Sequence, residues 1–186
     1  MAVHTASDPA PDQPAASRLV GLPPIVGVDT RLLVLGSFPS VASLARQQYY
    51  AHPQNQFWKI LEAIWPSSPS LLSLGNYEKR SKWVLDRGLG VWDVYASCAR
   101  EGSLDAAIRK PEINDFARLQ QRCPQLRAIA HNGGESFKHA RVVSVSLGAS
   151  ALPIYKLPST SPANASWSFE RKLAAWREVM AAVGLL

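Results

Sequence analysis

The chain has 186 residues, 47% of them hydrophobic, with 20 Lys plus Arg against 14 Asp plus Glu and a formal net charge of +6. These values suit one domain with a sizeable core, and the basic excess permits a polyanionic partner, nucleic acid being the commonest. Two cysteines, Cys98 and Cys123, exclude a four-thiolate zinc or iron–sulfur site, and no apolar run approaches the length of a membrane span.

Residues 1–18, rich in Ala, Pro and Ser, lack the apolar centre of a signal peptide and read as a disordered tail. With no secretory signal, the two thiols are expected to be free, in a reducing, cytoplasmic compartment. "RLLVLG" is a continuous apolar run ending in Gly36, the pattern of a strand buried on both faces. Pro39 and Ser40 then turn the chain into a short helix, "SVASLARQ", with Ser40 as its cap. "NQFWKILEAIW" puts Phe57, Ile60, Leu61, Ile64 and Trp65 on one helical face before Pro66 stops it. "NYEKRSKWVLDRG" predicts another helix, "GVWDVYASC" a strand, and "INDFARLQQRC" a helix capped by Asn114 or Asp115. "LRAIAHNGG" predicts a buried strand running into a glycine turn, and "RVVSVSL" and "PIYKLP" two more strands. A last helix follows Ser166, with Phe169, Leu173, Trp176, Val179 and Met180 on one stripe and Gly184 at its end. Alternating strands and helices predict an α/β fold, a three-layer α/β/α sandwich with a mostly parallel central sheet. Ligands of such sheets lie outside the carboxyl ends of the strands, which directs attention to "GSFPS", "HNGG" and "LPSTSPANAS".

"QQYYAHPQNQFWKIL" sets two aromatics and a rigid turn ahead of a helix. Tyr49 and Tyr50 suit either the core or the wall of a pocket for a flat ligand, and Asn55 either a helix cap or a polar group in that pocket. Asn132 is equally at home in a turn before two glycines or at a ligand, where its amide offers donors and an acceptor. His131 reads as structural, and His52 is more simply a turn residue than a phosphate contact. Ser166 accounts for a helix cap, but not for the run of Ser, Thr and Asn from Ser159 to Ser168.

"GSFPSVASLARQQYYAHPQNQFWKIL" resembles the first motif of the uracil-DNA glycosylase superfamily, and "AHPQNQFW" is similar to the "HPxNxFW" signature of its mismatch-specific members. "IAHNGGESF" and "LPSTSPANAS" resemble the middle strand-and-turn and the DNA-inserting motif. GSFPS, the paired tyrosines, "GLPPIVGVDTRLLVLGSFPS" and "GSLDAAI" are most similar to the hypoxanthine-DNA glycosylase branch, family 6. The likeness runs from about Gly21 to the C-terminus and implies a single glycosylase domain, residues 19–186, with a uracil-DNA glycosylase-like fold.

The resemblance implies hydrolysis of an N-glycosidic bond in DNA, chiefly that of hypoxanthine (deoxyinosine), as a step of base excision repair. Tyr50 matches the position whose ring stacks on the flipped base, and Asn55 the amide that carries catalysis. Phe38 stands where relatives often have a catalytic Asn, and Ser37 where other branches have an acidic residue. Ser37, Phe38, Tyr50 and Asn132 are thus the expected base-binding residues. Ser159 occupies the position of the motif-two His; Ser159 and Ser161 are expected on DNA phosphates, and Pro162, Ala163 and Asn164 in the wedge. No Lys lies in the three loops except Lys156 at a strand end, so a monofunctional, water-using enzyme is expected rather than a Schiff-base lyase. Neither a metal site nor a cofactor is expected; the partner is DNA containing hypoxanthine or uracil, with no membrane, and the chain is expected to be a monomer (nucleoid-associated if bacterial). Two further readings stand beside this: a uracil- or mismatch-specific glycosylase, and a catalytically weak DNA-binding protein of the same fold.

Overall fold

The computed structural model describes residues 18–66, 70–73 and 75–186. The tail expected over residues 1–18 falls outside the described residues except for Arg18, whose Nε donates to Ser97 Oγ at 3.0 Å. In chain order the elements are β1 (Leu19–Val20), β2 (Leu32–Gly36), α1 (Val41–Arg46), α2 (Phe57–Ile64), α3 (Tyr77–Leu85), β3 (Leu89–Asp93) and β4 (Tyr95–Ala99). They continue with β5 (Arg109–Ile113), α4 (Leu119–Arg122), β6 (Ala128–Asn132), α5 (Gly134–Phe137), α6 (Ala140–Ser146), β7 (Ile154–Leu157) and α7 (Phe169–Ala182). Short 3₁₀ turns sit at Leu71–Ser73 and Asp105–Ala107.

The central sheet has the order β3-β2-β6-β7, and every pairing in it is parallel. All five residues of β2, β3 and β6 are buried, which is why β2, and β6 as far as Ala130, read as apolar runs. Register sets Gly36 beside Asp93 and Asn132 beside Leu157, so four strands end along one edge. From β2 the chain crosses first to β3 on one side and later to β6 on the other, which opens a crevice at that edge.

The helices flank this sheet, completing the three-layer α/β/α arrangement. Helix α2 buries Phe57, Trp58, Ile60, Leu61 and Ile64 and packs against α7, which in turn packs on β7; α3 packs on β3. Each large apolar side chain so buried contributes roughly 1.5–3 kcal/mol. Helix α1 starts where expected, with Ser40 Oγ accepting from the Ser43 N–H. The cap of α7 is Ser168, which accepts from the Arg171 N–H, and not Ser166, whose hydroxyl donates to Asn164 Oδ1 instead.

Three segments depart from expectation. "RVVSVSL" is helix, not strand: Ala140, Val143, Ser144 and Leu147 are buried at helical spacing while Val142 and Val145 face solvent. Gly148, at φ 62°, closes it, with the Ala149 N–H donating to Ser144 O. Burial of one helical face has overridden the strand preference of three valines. "GVWDVYASC" is two strands split at Val94: β3 joins the parallel sheet, while β4 leaves for a second, antiparallel sheet of order β1-β4-β5. "INDFARLQQRC" yields only the single turn α4, because Ile113 belongs to β5 and Asn114 bonds back to Val94 O and Asp93 O. Asp115 Oδ1 accepts from the Ala117 N–H in a local turn and caps no helix.

Candidate active site

The carboxyl ends of β2, β3 and β6 open into a cavity of about 340 Å³, within the usual range for small-ligand sites. Of the site residues expected from the sequence, Ser37, Phe38, Tyr50, Asn55, Asn132, Ser159, Ser161, Ala163 and Asn164 all line it; Pro162 does not. Thr160, Asp93 and Asp105 line it as well.

The turn between α1 and α2 is clamped from several sides. Trp58 Nε1 donates to Tyr49 O, the Tyr49 N–H donates to Tyr77 Oη, and the Ala51 N–H donates to Ser43 Oγ. The two tyrosines the sequence left open both line the cavity but differ in burial. Tyr49 is 3% exposed, its hydroxyl donates to Leu22 O at 3.1 Å, and burial drives its phenol pKa far up. Tyr50 is half-buried at the cavity and stacks on Phe57 with ring centroids 4.0 Å apart and planes at 25°. Its backbone sits at φ 55°, a left-handed conformation that costs a residue other than Gly about 1–3 kcal/mol and recurs at functional sites.

Asn132 ties three walls together. Its Nδ2 donates to Tyr50 Oη at 3.1 Å and to Thr160 Oγ1 at 2.9 Å, while Oδ1 accepts from the Thr160 N–H at 2.9 Å. Both amide N–H donors are thereby engaged within the protein. Gly133, at φ 111°, follows; a Cβ there would stand 3.0 Å from Ser159 Cβ, so only glycine lets the two loops approach. His131 is fully buried and pushed down to about 4 by that burial. Because Ser136 Oγ donates to Leu35 O, His131 Nδ1 must be the donor to Ser136, which fixes a neutral tautomer.

Asn55 stands two residues ahead of α2. Its Oδ1 accepts from the Phe57 N–H at 3.0 Å, so it does cap the helix start, yet the same amide lines the cavity. The neighbouring Gln56 N–H donates to Thr160 O, joining this turn to the loop after β7. His52 Nδ1 accepts from the Gln54 N–H within the turn. The loop after β7 is held from inside. Ser159 Oγ accepts from the Ser161 N–H and Ser161 Oγ from the Ala163 N–H; Asn164 Nδ2 donates to Ser159 O. From α7, the buried Lys172 donates to Asn164 O and Trp176 Nε1 to Pro158 O.

Beneath the first loop, Phe38 is buried and lies 5.0 Å from the guanidinium carbon of Arg100, whose Nη2 donates to Pro39 O. Ser37 Oγ donates to Asp105 Oδ1 at 2.6 Å. Asp105 sits at the open rim; contact with the wall and the nearby Glu135 charge raise its carboxyl, while Ser37, Arg100 and Lys138 oppose that. Asp93 is the buried carboxyl of the site, 3% exposed, and burial first, then Asp105, push it up to about 8 against the opposing pull of Arg100. That favours its protonated, neutral form at pH 7. Sequence reasoning passed over both carboxylates. The available signal was an Asp closing a strand, "LGVWD", whose other residues are apolar or Gly. Among the described residues no cluster of His, Cys, Asp and Glu is arranged to hold a metal ion, and no helix is long and apolar enough to cross a membrane.

Comparison with known proteins accounts for this arrangement. The "Uracil DNA glycosylase superfamily" profile matches residues 23–180. A hypoxanthine DNA glycosylase of Methanosarcina acetivorans is 36% identical over 160 residues, covering 86% of this chain and 96% of that protein. One of Methanosarcina barkeri is 34% identical, with 85% and 95% covered. A G/U mismatch-specific uracil DNA glycosylase of Schizosaccharomyces pombe is 32% identical over 104 residues, 54% of this chain and 29% of that protein. A solution NMR structure of a Methanosarcina acetivorans protein superposes with a TM-score of 0.76 at 34% identity, over 90% of this chain and 99% of that one. With its parallel sheet, its cavity at the strand ends and these matches over most of its length, the chain belongs to the uracil DNA glycosylase superfamily.

Proposed function

We propose that this protein is a monofunctional DNA glycosylase that excises hypoxanthine, and with it other deaminated bases, by hydrolysing the N-glycosidic bond. The observation that carries the reading is the near full-length match to two hypoxanthine DNA glycosylases, joined to a cavity walled by the residues that the motif implies. A base must leave the duplex to enter such a cavity, which costs a few kcal/mol. Stacking on Tyr50, whose ring is already supported by Phe57, returns about 1–3 kcal/mol. Asn55 orients the attacking water: the Phe57 N–H pins its amide by one Oδ1 lone pair and leaves the second lone pair and the Nδ2 group for the cavity. Asn132 positions Tyr50 and Thr160, and the Ser159–Asn164 loop lies along the DNA.

The test is a labelled duplex with a single inosine, compared with one carrying uracil, under single-turnover conditions. The reading expects faster loss of hypoxanthine and an abasic strand that breaks only after alkali. Borohydride trapping of a protein–DNA adduct would refute the monofunctional chemistry, and faster uracil release would favour the second reading, a uracil-specific enzyme, which the Schizosaccharomyces pombe likeness supports.

A further inference from the structure

We propose that Asp93 contacts the extruded base as a neutral carboxylic acid, presenting its O–H donor and its carbonyl acceptor to an adjoining carbonyl and ring N–H of that base. The inference rests on the glycosylase reading and adds to it a base-binding group that no motif of the sequence pointed to.

Asp93 closes β3 in register with Gly36, in the buried wall of the cavity. Its Oδ2 is buried and has no hydrogen-bond partner among the described residues. Buried polar atoms are rarely left unsatisfied, and because Asp93 borders the cavity, a ligand entering it could supply the missing partner. The seat of the carboxyl is also built: a Cβ on Gly36 would stand 2.3 Å from Asp93 Oδ1, so the strand leaves room for this side chain by having none of its own.

The groups facing Asp93 come from every neighbouring element. Arg100, beyond the end of β4, is turned toward Pro39 O and Phe38 and makes no ion pair with Asp93. Asp105 comes from the 3₁₀ turn, Tyr49 and Tyr50 from the turn after α1, and Tyr77 from α3. Only Arg100 favours the ionised form; burial and Asp105 favour the neutral one. The neutral form is also the one with useful chemistry. A lactam edge, O6 and N1–H of hypoxanthine or O4 and N3–H of uracil, needs one donor and one acceptor side by side, which a carboxylic acid supplies. A carboxylate supplies acceptors alone and repels the carbonyl oxygen. The same acid can match the amidine edge of adenine with the roles exchanged, so Asp93 sets a protonation requirement on base binding and leaves the choice among bases to the rest of the wall.

Single-turnover excision of hypoxanthine on both sides of pH 8 tests this, with wild type, Asp93→Asn and Asp93→Leu. Wild-type excision should fall about tenfold per pH unit above the Asp93 titration, near 8. Asp93→Asn keeps a donor and an acceptor without a titration; it should stay within several-fold of wild type, roughly as a neutral exchange does, and lose the alkaline fall. Asp93→Leu should lose on the order of a hundredfold, as when one positioned polar group is removed. Should Asp93→Leu fail to fold, the Asp93→Asn profile decides alone. A wild-type rate that rises through the same pH range makes Asp93 an ionised base and overturns the proposal. So does an Asp93→Asn enzyme that keeps the alkaline fall, or one as inactive as Asp93→Leu. A wild type active on inosine with a flat alkaline profile overturns this inference alone; a wild type inactive on inosine and uracil at every pH overturns the glycosylase reading and this one with it.

Discussion

Replacing Asn132 by Ala separates a residue that holds the cavity together from one that reads the base. The amide makes three hydrogen bonds of 2.9–3.1 Å and is 9% exposed. At about 1 kcal/mol net for each bond, the substitution should cost roughly 3 kcal/mol, with the N–H and Oγ1 of the fully buried Thr160 losing their Asn132 partner. In a domain of this size that corresponds to a fall in Tm of about 6–12 °C. Urea unfolding measures the stability, and single-turnover excision on the same preparation measures the rate. Asn132→Ala should lose both, because Tyr50 Oη and the loop after β7 lose a common anchor. A cycle with Thr160→Val should show coupling through the single side-chain bond from Asn132 Nδ2 to Thr160 Oγ1, since the Thr160 N–H that donates to Asn132 Oδ1 is backbone and persists in the valine variant. An Asn132→Ala protein of wild-type stability that no longer excises base refutes this reasoning and makes Asn132 a direct reader of the base.

Asn55→Ala should slow excision by about a hundredfold, roughly 2.7 kcal/mol, and cost about 1 kcal/mol of stability through loss of the bond to the Phe57 N–H. A lowered Tm with an unchanged rate would reduce Asn55 to a helix cap. Gly36→Ala should shift the Asp93 carboxyl, costing about 1–3 kcal/mol by crowding and depressing excision; an unaltered rate would show that the strand end yields freely. Stability should also respond to pH. Asp93 binds its proton more tightly folded than unfolded, so its contribution is lost as pH rises from about 4 to about 8, at roughly 1.4 kcal/mol per unit. His131, neutral in the fold, gains stability as pH rises from about 4 to 6.5 and offsets that loss there. The net fall is therefore expected between about 6.5 and 8, and Asp93→Asn should abolish it in urea titrations at several pH values.

Local chemistry and unbroken patterns were legible in the amino-acid order. The apolar runs of β2, and of β6 as far as Ala130, declare strands buried on both faces, because a strand covered by helices has little polar side to show. The Ser40 cap, the amphipathic α2 and the Gly184 stop depend on residues within a turn or two of one another. The motif residues could be placed at one strand edge because parallel sheets bring successive strand ends together. Tertiary structure decided what local pattern leaves ambiguous. The valines of α6 fit a strand until the buried face of a helix selects among them, and β5, exposed throughout, has no apolar signature to read. Tyr49 and Tyr50 are neighbours with the same side chain. Only the φ of 55° at Tyr50 and the bonds from Trp58, Tyr77 and Asn132 bury one in the cavity wall and leave the other half-exposed at the cavity. Asn132 looks free in sequence, and its donors prove engaged because Thr160, 28 residues away, folds back onto it. The state of Asp93 is the extreme case: an Asp is ionised at pH 7 wherever water reaches it. Its neutrality comes from burial beneath segments brought together from Gly36, Tyr50 and Asp105, which no stretch of chain around it encodes.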